Sequence, residues 1–145
     1  MNKLNKAELT LILNQLVKEL RNIFGENFSG LVLFGSYAKD RARKDSDLDI
    51  LILLEKQVKE PLNLIIDTFI EIEYKFRIDI SPIFLYEENL VKSILLFELQ
   101  DYAKILFDKN NSLHKIFNEI KMDYEIGNVE KILRKNYHII QFKNV

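Results

Sequence analysis

At 145 residues, with 48% hydrophobic and 30% charged side chains, four Gly and two Pro, the chain has the makeup of one globular domain. A domain of this size buries roughly 70% of its unfolded surface, and its composition excludes disorder, collagen-like and linker-rich architectures. The absence of cysteine excludes disulfides and thiolate metal sites, and 21 Lys+Arg against 22 Asp+Glu, a formal charge of −1, removes the bulk electrostatic case for nonspecific nucleic-acid binding.

The opening, Met1 to Glu8, carries charged and amide residues where a signal peptide needs an apolar stretch. The longest apolar runs, such as Leu48 to Leu54, fall far short of the ~20 residues that span a bilayer. A cytoplasmic protein with no membrane association is expected.

From Lys6 to Phe24, Leu9, Ile12, Leu13, Leu16, Val17, Leu20, Ile23 and Phe24 recur at spacings of three and four, which predicts a helix with one buried face, stopped by Gly25. Leu31 to Phe34, bounded by Ser29-Gly30 and Gly35, reads as a buried strand. The polar stretch Ser36 to Ser46 has room for a helical turn or two and a loop. Leu48 to Leu54 is a second strand. Pro61 opens a helix running to about Lys75 on Leu62, Leu64, Ile65, Phe69 and Ile72. Arg77 to Leu85 alternates as a strand, with Pro82 confining it to an edge or ending it there. Helix is expected over Glu88 to Leu99, strand over Lys104 to Phe107, and helices over Ser112 to Met122 and Val129 to Ile140. The sum is an α/β or α+β class, with a central mixed sheet flanked by helices and further helices at the C-terminus. It forms one domain over 1–145, its core about 29–107 and a helical tail about 110–145.

The chemistry concentrates between Gly35 and Ile50. A Gly-Ser pair after a buried strand frees backbone N–H groups that, with a hydroxyl, hold a phosphate; taken alone, the pair is more simply a tight turn with Ser36 as helix cap. Asp47 and Asp49, two apart at the start of a strand, project both carboxylates from one face. Asp79 sits between Ile78 and Ile80 on a later strand, so three carboxylates converge if the two strands are neighbours. Two carboxylates ~4 Å apart repel by about 4 kcal/mol at an effective dielectric of ~20, so such a group calls for a cation or a proton. An all-oxygen donor set suits Mg2+ or Mn2+, with phosphate oxygens completing the shell.

Gly35-Ser36, ten intervening residues, Asp47-x-Asp49 and a later Asp79 resemble the nucleotidyltransferase fold of the DNA polymerase β superfamily over roughly Ser29 to Phe107. Within it, the short chain and its Ser46-Asp47-x-Asp49 run look most like the minimal nucleotidyltransferases, including the antitoxins paired with HEPN-domain toxins. The resemblance implies that Gly35 and Ser36, with Lys39 and Ser46 beside them, hold the triphosphate. Asp47 and Asp49 would bind two Mg2+ or Mn2+ ions, and Asp79 would be the third catalytic carboxylate, helping one ion activate the acceptor hydroxyl. Minimal members often have Arg-Gly where this chain has Lys39-Asp40. Lysine keeps the charge but not the bidentate fork, and Asp40 brings a carboxylate towards the triphosphate. Arg41, Arg43 and Lys44 would offset it or merely form a solvated loop.

The implied activity is transfer of a nucleoside monophosphate, AMP from ATP, to a hydroxyl of a partner protein, with a HEPN toxin as partner and AMPylation as the means of neutralising it. A chain with only about 38 residues after Phe107 has little room for an acceptor-binding domain of its own. The alternatives are an antitoxin that acts by occlusion, favoured by Lys39-Asp40, and a small-molecule transferase of the aminoglycoside-modifying kind, disfavoured by length. No specific nucleic acid is expected as partner, and homo-oligomerisation is left open. His114 and His138 read as surface or packing residues, the Leu95 to Leu99 stripe as core or a partner surface, and Glu71, Glu73, Glu87 and Glu88 as solvated charges.

Overall fold

A computed structural model describes residues 3–125, 129–134 and 137–142, with side chains through Glu125 apart from Tyr124. The first helix, α1 (Lys6–Phe24), is closed at its start by a reciprocal cap: Asn5 Oδ1 accepts from the Glu8 amide at 2.8 Å, and Glu8 Oε1 from the Asn5 amide at 3.1 Å. It buries Ile12, Leu13, Leu16 and Leu20 and stops at Gly25, whose φ of 57° turns the chain out of the helix.

Strand β1 (Phe28–Phe34) starts three residues ahead of its expected boundary. Ser29-Gly30 marks a boundary in the sequence, yet Gly30 lies within the strand because of what presses on it. A Cβ there would sit 2.5 Å from Leu113 Cδ1, 3.2 Å from the Phe107 carbonyl oxygen and 3.3 Å from Leu53 Cβ. The missing side chain lets a helix close on the sheet. Gly30→Ala is therefore expected to destabilise the fold by about 1–3 kcal/mol, the usual cost of overpacking a filled core, read as a lowered urea midpoint at unchanged m-value.

Strand β2 (Leu48–Leu54) follows, then helix α3 (Pro61–Phe76), after the single turn α2 (Gly35–Ala38) that joins β1 to the loop before β2. Pro61 stands at the start of α3, and Arg77, left-handed at φ 54°, ends it. That terminus corrects the expected strand from Arg77. Strand β3 (Ile80–Tyr86) begins only after the chain has left the helix, with the Ile80 amide donating to Glu73 Oε2 at 2.9 Å. Asp79 accordingly lies one residue before the strand and is exposed, not set among apolar neighbours within it.

Strand β4 (Lys104–Asp108) completes a mixed sheet of order β3-β2-β1-β4, in which β2 and β3 run parallel and both neighbours of β1 are antiparallel to it. Pro82 is on the edge strand, as its missing N–H requires. One face of the sheet, with Leu31, Leu33, Leu48, Ile50 and Ile52, packs on the buried residues of α1 and α3. The other, with Val32, Leu51 and Leu53, packs on Leu96, Phe97 and Leu99 of α4 (Ile94–Leu99) and Leu113, Ile116 and Ile120 of α5 (Ser112–Glu125). The alternation along β2 that divides Leu51 from Ile52 is the strand period expressed in a layer buried on both sides.

Two helix expectations need correction. The stretch from Glu88 to Leu99 is a 3-10 turn at Glu87–Asn89 and an irregular link before α4, because Ser93 accepts from the Leu96 amide and sets the helix start at Ile94. Upstream, Glu88 accepts from the Gln57 amide at 2.9 Å and Glu87 from Asn110 at 2.7 Å and from Ser112, so these carboxylates tie loops together. The tail from Val129 to Ile140 is a hairpin of β5 (Val129–Arg134) and β6 (Tyr137–Phe142), paired Val129 to Phe142. Val129, Ile132, Tyr137, Ile139, Ile140 and Phe142 are β-branched or aromatic and favour extended backbone. The side chains from Val129 to Ile140, His138 among them, lie outside the described side chains. Among the described residues no helix is long and apolar enough to cross a membrane.

Candidate active site

The register brings four strand termini to one end of the sheet: Phe34 of β1 opposite Asp49 of β2, Leu48 opposite Ile80 of β3, and Leu33 opposite Lys104 of β4. Every motif residue is attached to one of these termini or to the loop between the first two.

Gly35 turns the chain off β1 at φ 72°, a left-handed conformation glycine adopts without strain. It is also a contact point. A Cβ at Gly35 would fall 2.0 Å from Asp49 Oδ2 and 2.8 Å from its Cγ, so the Asp49 carboxylate occupies the space a side chain here would need. A short turn follows, closed by Lys39 N–H donating to the Gly35 carbonyl at 3.1 Å and Arg41 N–H to the Ser36 carbonyl at 2.9 Å. Within it Tyr37 is buried and its hydroxyl accepts from the Leu4 amide at 3.0 Å, which pins the turn to the start of the chain.

Asp49 is half-buried and Asp47 exposed. Burial first, and the like charge of Asp47 second, push the Asp49 carboxyl above the usual carboxylate range. Asp79 reaches the same end through its backbone: its carbonyl accepts from the Leu48 amide at 2.8 Å, alongside the start of β2. Among the described residues no three Asp, Glu or His side chains form a ready metal cage. Two repelling oxygen donors fit an ion of the Mg2+ kind, which binds through one or two carboxylates and takes its remaining ligands from water and substrate phosphates.

Ser46 has a different employment from the expected one. Its hydroxyl accepts from the Arg43 amide at 2.7 Å and its amide donates to the Arg43 carbonyl at 3.1 Å, closing the loop before β2. Asp40 stands at φ 57°, the left-handed region that glycine favours and that aspartate tolerates better than most residues. The exchange of glycine for aspartate is thus conformationally accommodated. Arg43 and Lys44 are exposed.

Tyr102, just ahead of β4, carries no motif signal in the sequence. The structure nonetheless sets its ring under the Lys39 ammonium, 4.2 Å from the centroid, and these two line a pocket of about 290 Å3 with Arg41. Burial, then the charges of Glu98, Asp49 and Asp101, push the phenol pKa up. A somewhat larger cavity of about 340 Å3, lined by Glu87, Asn110, Ser112 and Lys115, lies towards the opposite end of β2, where Asn110 donates to Glu55 at 2.9 Å. It contains no motif residue. His114 is also remote in role: its ring pairs with Asp108 at 2.7 Å, and Asp108 caps the start of α5.

The nucleotidyltransferase domain family matches residues 13–102. The protein adenylyltransferase MntA of Thermococcus cleftensis is 32% identical over 96 residues, 66% of this chain and 94% of that one. MJ1305 of Methanocaldococcus jannaschii, to which the same activity is provisionally assigned, is 29% identical over 124 residues, 81% of this chain and 84% of that one. Among solved structures, a toxin–antitoxin assembly with AMP-PNP contains a chain of the same fold (TM-score 0.58, 17% identity, 80% of this chain and 89% of that one). So does the complex of tri-AMPylated Shewanella oneidensis HEPN toxin with MNT antitoxin (TM-score 0.54, 17% identity, 82% and 88%).

Proposed function

Because the chain belongs to the nucleotidyltransferase domain family, we propose that it transfers AMP from ATP to a hydroxyl of a partner protein, and that it serves as the antitoxin of a HEPN-domain toxin. The observation that carries the reading is the seating of Asp49 against Gly35 with Asp47 two residues away. The Gly35 turn and the Asp49 carboxylate are one construction, not two neighbouring motifs. The relatives named as protein adenylyltransferases support the choice of acceptor.

In this reading the backbone of Gly35-Ser36 and the Ser36 hydroxyl hold the triphosphate, and the cations of Lys39 and Arg41 neutralise its outer oxygens. Asp47 and Asp49 would hold Mg2+ or Mn2+, and Asp79, exposed beside the start of β2, would help to hold a second ion once substrate oxygens complete the set. When bound, the metal lowers the charge repulsion between phosphate and nucleophile and stabilises the departing oxygen. The acceptor hydroxyl oxygen forms a bond to the α-phosphorus as the bond from that phosphorus to the bridging oxygen breaks. Pyrophosphate leaves with the electron pair, and the hydroxyl proton passes to a carboxylate at the rim, for which exposed Asp79 is suited. A tyrosine of the toxin is the acceptor; the added phosphodiester places charge and bulk beside the toxin's site.

With α-labelled ATP, Mg2+ and a HEPN-domain partner, the wild type is expected to put label on the partner, and Asp47→Asn to put none. Label only on small molecules would overturn the protein acceptor. Full neutralisation by Asp47→Asn, with no label on the partner, would establish occlusion instead.

A further inference from the structure

The geometry points to Tyr102 as a positioning residue: its ring holds the Lys39 ammonium in place for the triphosphate, so that a flexible lysine does what a pre-organised arginine would do. The inference rests on the nucleotide-binding reading of the Gly35 turn. It begins from a mismatch between a side chain and its task. A lysine ammonium is a point charge on a four-carbon stem, and fixing it against one ligand sacrifices rotamer freedom that the planar guanidinium of arginine loses less of per hydrogen bond. Lys39 is exposed and directly follows α2.

The restriction comes from elsewhere in the chain. Tyr102 precedes β4, whose register with β1 delivers it to the sheet end that carries Gly35. It is half-buried and packs against both apolar layers, so its ring is itself held. The Lys39 ammonium sits 4.2 Å from the ring centroid, within the range of a favourable cation–π contact, and the two side chains line an open pocket with Arg41, where the Asp49 charge is felt at Tyr102. An ammonium already resting on a fixed ring has less freedom to lose when a phosphate arrives, and that difference adds to affinity. The ring leaves the ammonium its hydrogen-bond donors, since the π face accepts charge without occupying all three N–H bonds.

The test is a double-mutant cycle on Mg2+-ATP affinity by calorimetry, using the full chain. Tyr102→Leu, which keeps apolar volume but removes the ring, is expected to weaken binding about fivefold. In a Lys39→Ala background the same change should have no further effect. Lys39→Arg should recover most of the affinity lost in Tyr102→Leu, since the guanidinium fork does not need the ring, and Tyr102→Phe should retain what Tyr102→Leu loses. Additive losses, tighter binding by Tyr102→Leu, or no recovery by Lys39→Arg would each overturn the role. Should Tyr102→Leu not fold, Tyr102→Phe with and without Lys39→Ala decides the question, since a phenylalanine variant that binds several-fold more weakly implicates the hydroxyl instead of the ring. If the wild type itself binds no Mg2+-ATP, the nucleotide-site reading fails and the inference falls with it. Wild-type binding that Tyr102→Leu leaves unchanged sinks the inference alone.

Discussion

Asp49→Asn is expected to lower AMP transfer by about 10^3-fold while raising the melting temperature of the nucleotide-free protein. On the proposed function the loss follows from removing a charged oxygen donor where cation and triphosphate would meet. The gain follows from what Asp49 costs the empty fold. Its carboxyl is pushed up by burial first and by Asp47 second, so at neutral pH the folded state carries an ionised group in a worse setting than the unfolded chain does. That penalty is full above the folded-state pKa, is relieved as pH falls through it, and vanishes below the ordinary value of 3.8, where folded and unfolded chains are both protonated. Over this window Asp49 makes the wild type gain stability on acidification, and Asp49→Asn should remove that contribution. Thermal melts of both proteins across the window, without metal or nucleotide, measure it. A variant that melts lower than wild type at neutral pH would show that Asp49 stabilises the empty site, contrary to this account.

Gly35→Ala should remove both stability and activity, by about 2–4 kcal/mol and at least ~100-fold respectively. Two costs add. Alanine at φ 72° is strained, and its methyl group would occupy space 2.0 Å from Asp49 Oδ2, so the carboxylate must swing away from the turn. Gly25 provides the control, because it has a comparable φ of 57° with nothing within 4 Å of its virtual Cβ. Gly25→Ala should show the backbone strain alone and leave transfer intact. Equal losses of activity in the two variants would mean that contact with Asp49 is irrelevant.

The elements legible in the sequence are those whose boundaries are written locally. Helix α1 has an amphipathic stripe and a glycine stop, β2 is an unbroken apolar run apart from Asp49, and α3 opens on Pro61. The Gly35, Asp47 and Asp49 motif was legible too, because its spacing follows from one turn between two strands. What escaped was decided at a distance. Gly30 looked like a boundary because the helix pressing on it, α5, is far along the chain, and Tyr102 gave no signal because its relation to Lys39 exists only through the pairing of β1 with β4. The hairpin at Val129–Phe142 escaped for another reason: apolar residues at near-helical spacing outweighed the β-branched composition that in fact decides the backbone.

Strand β2 is bonded along both edges and covered on both faces, whereas residues 39–47, which precede it, are mostly exposed. The site therefore has a foundation and a rim of unequal stiffness. Amides from Ile50 to Leu53 can exchange with solvent only when the domain opens as a whole, while those of Arg41 to Asp45 exchange through local motion. The same division separates what mutation can reach. Changes in the rim, Asp47 among them, can alter its charge and conformation without moving Asp49, because Asp49 alone of the three carboxylates belongs to the strand that yields last.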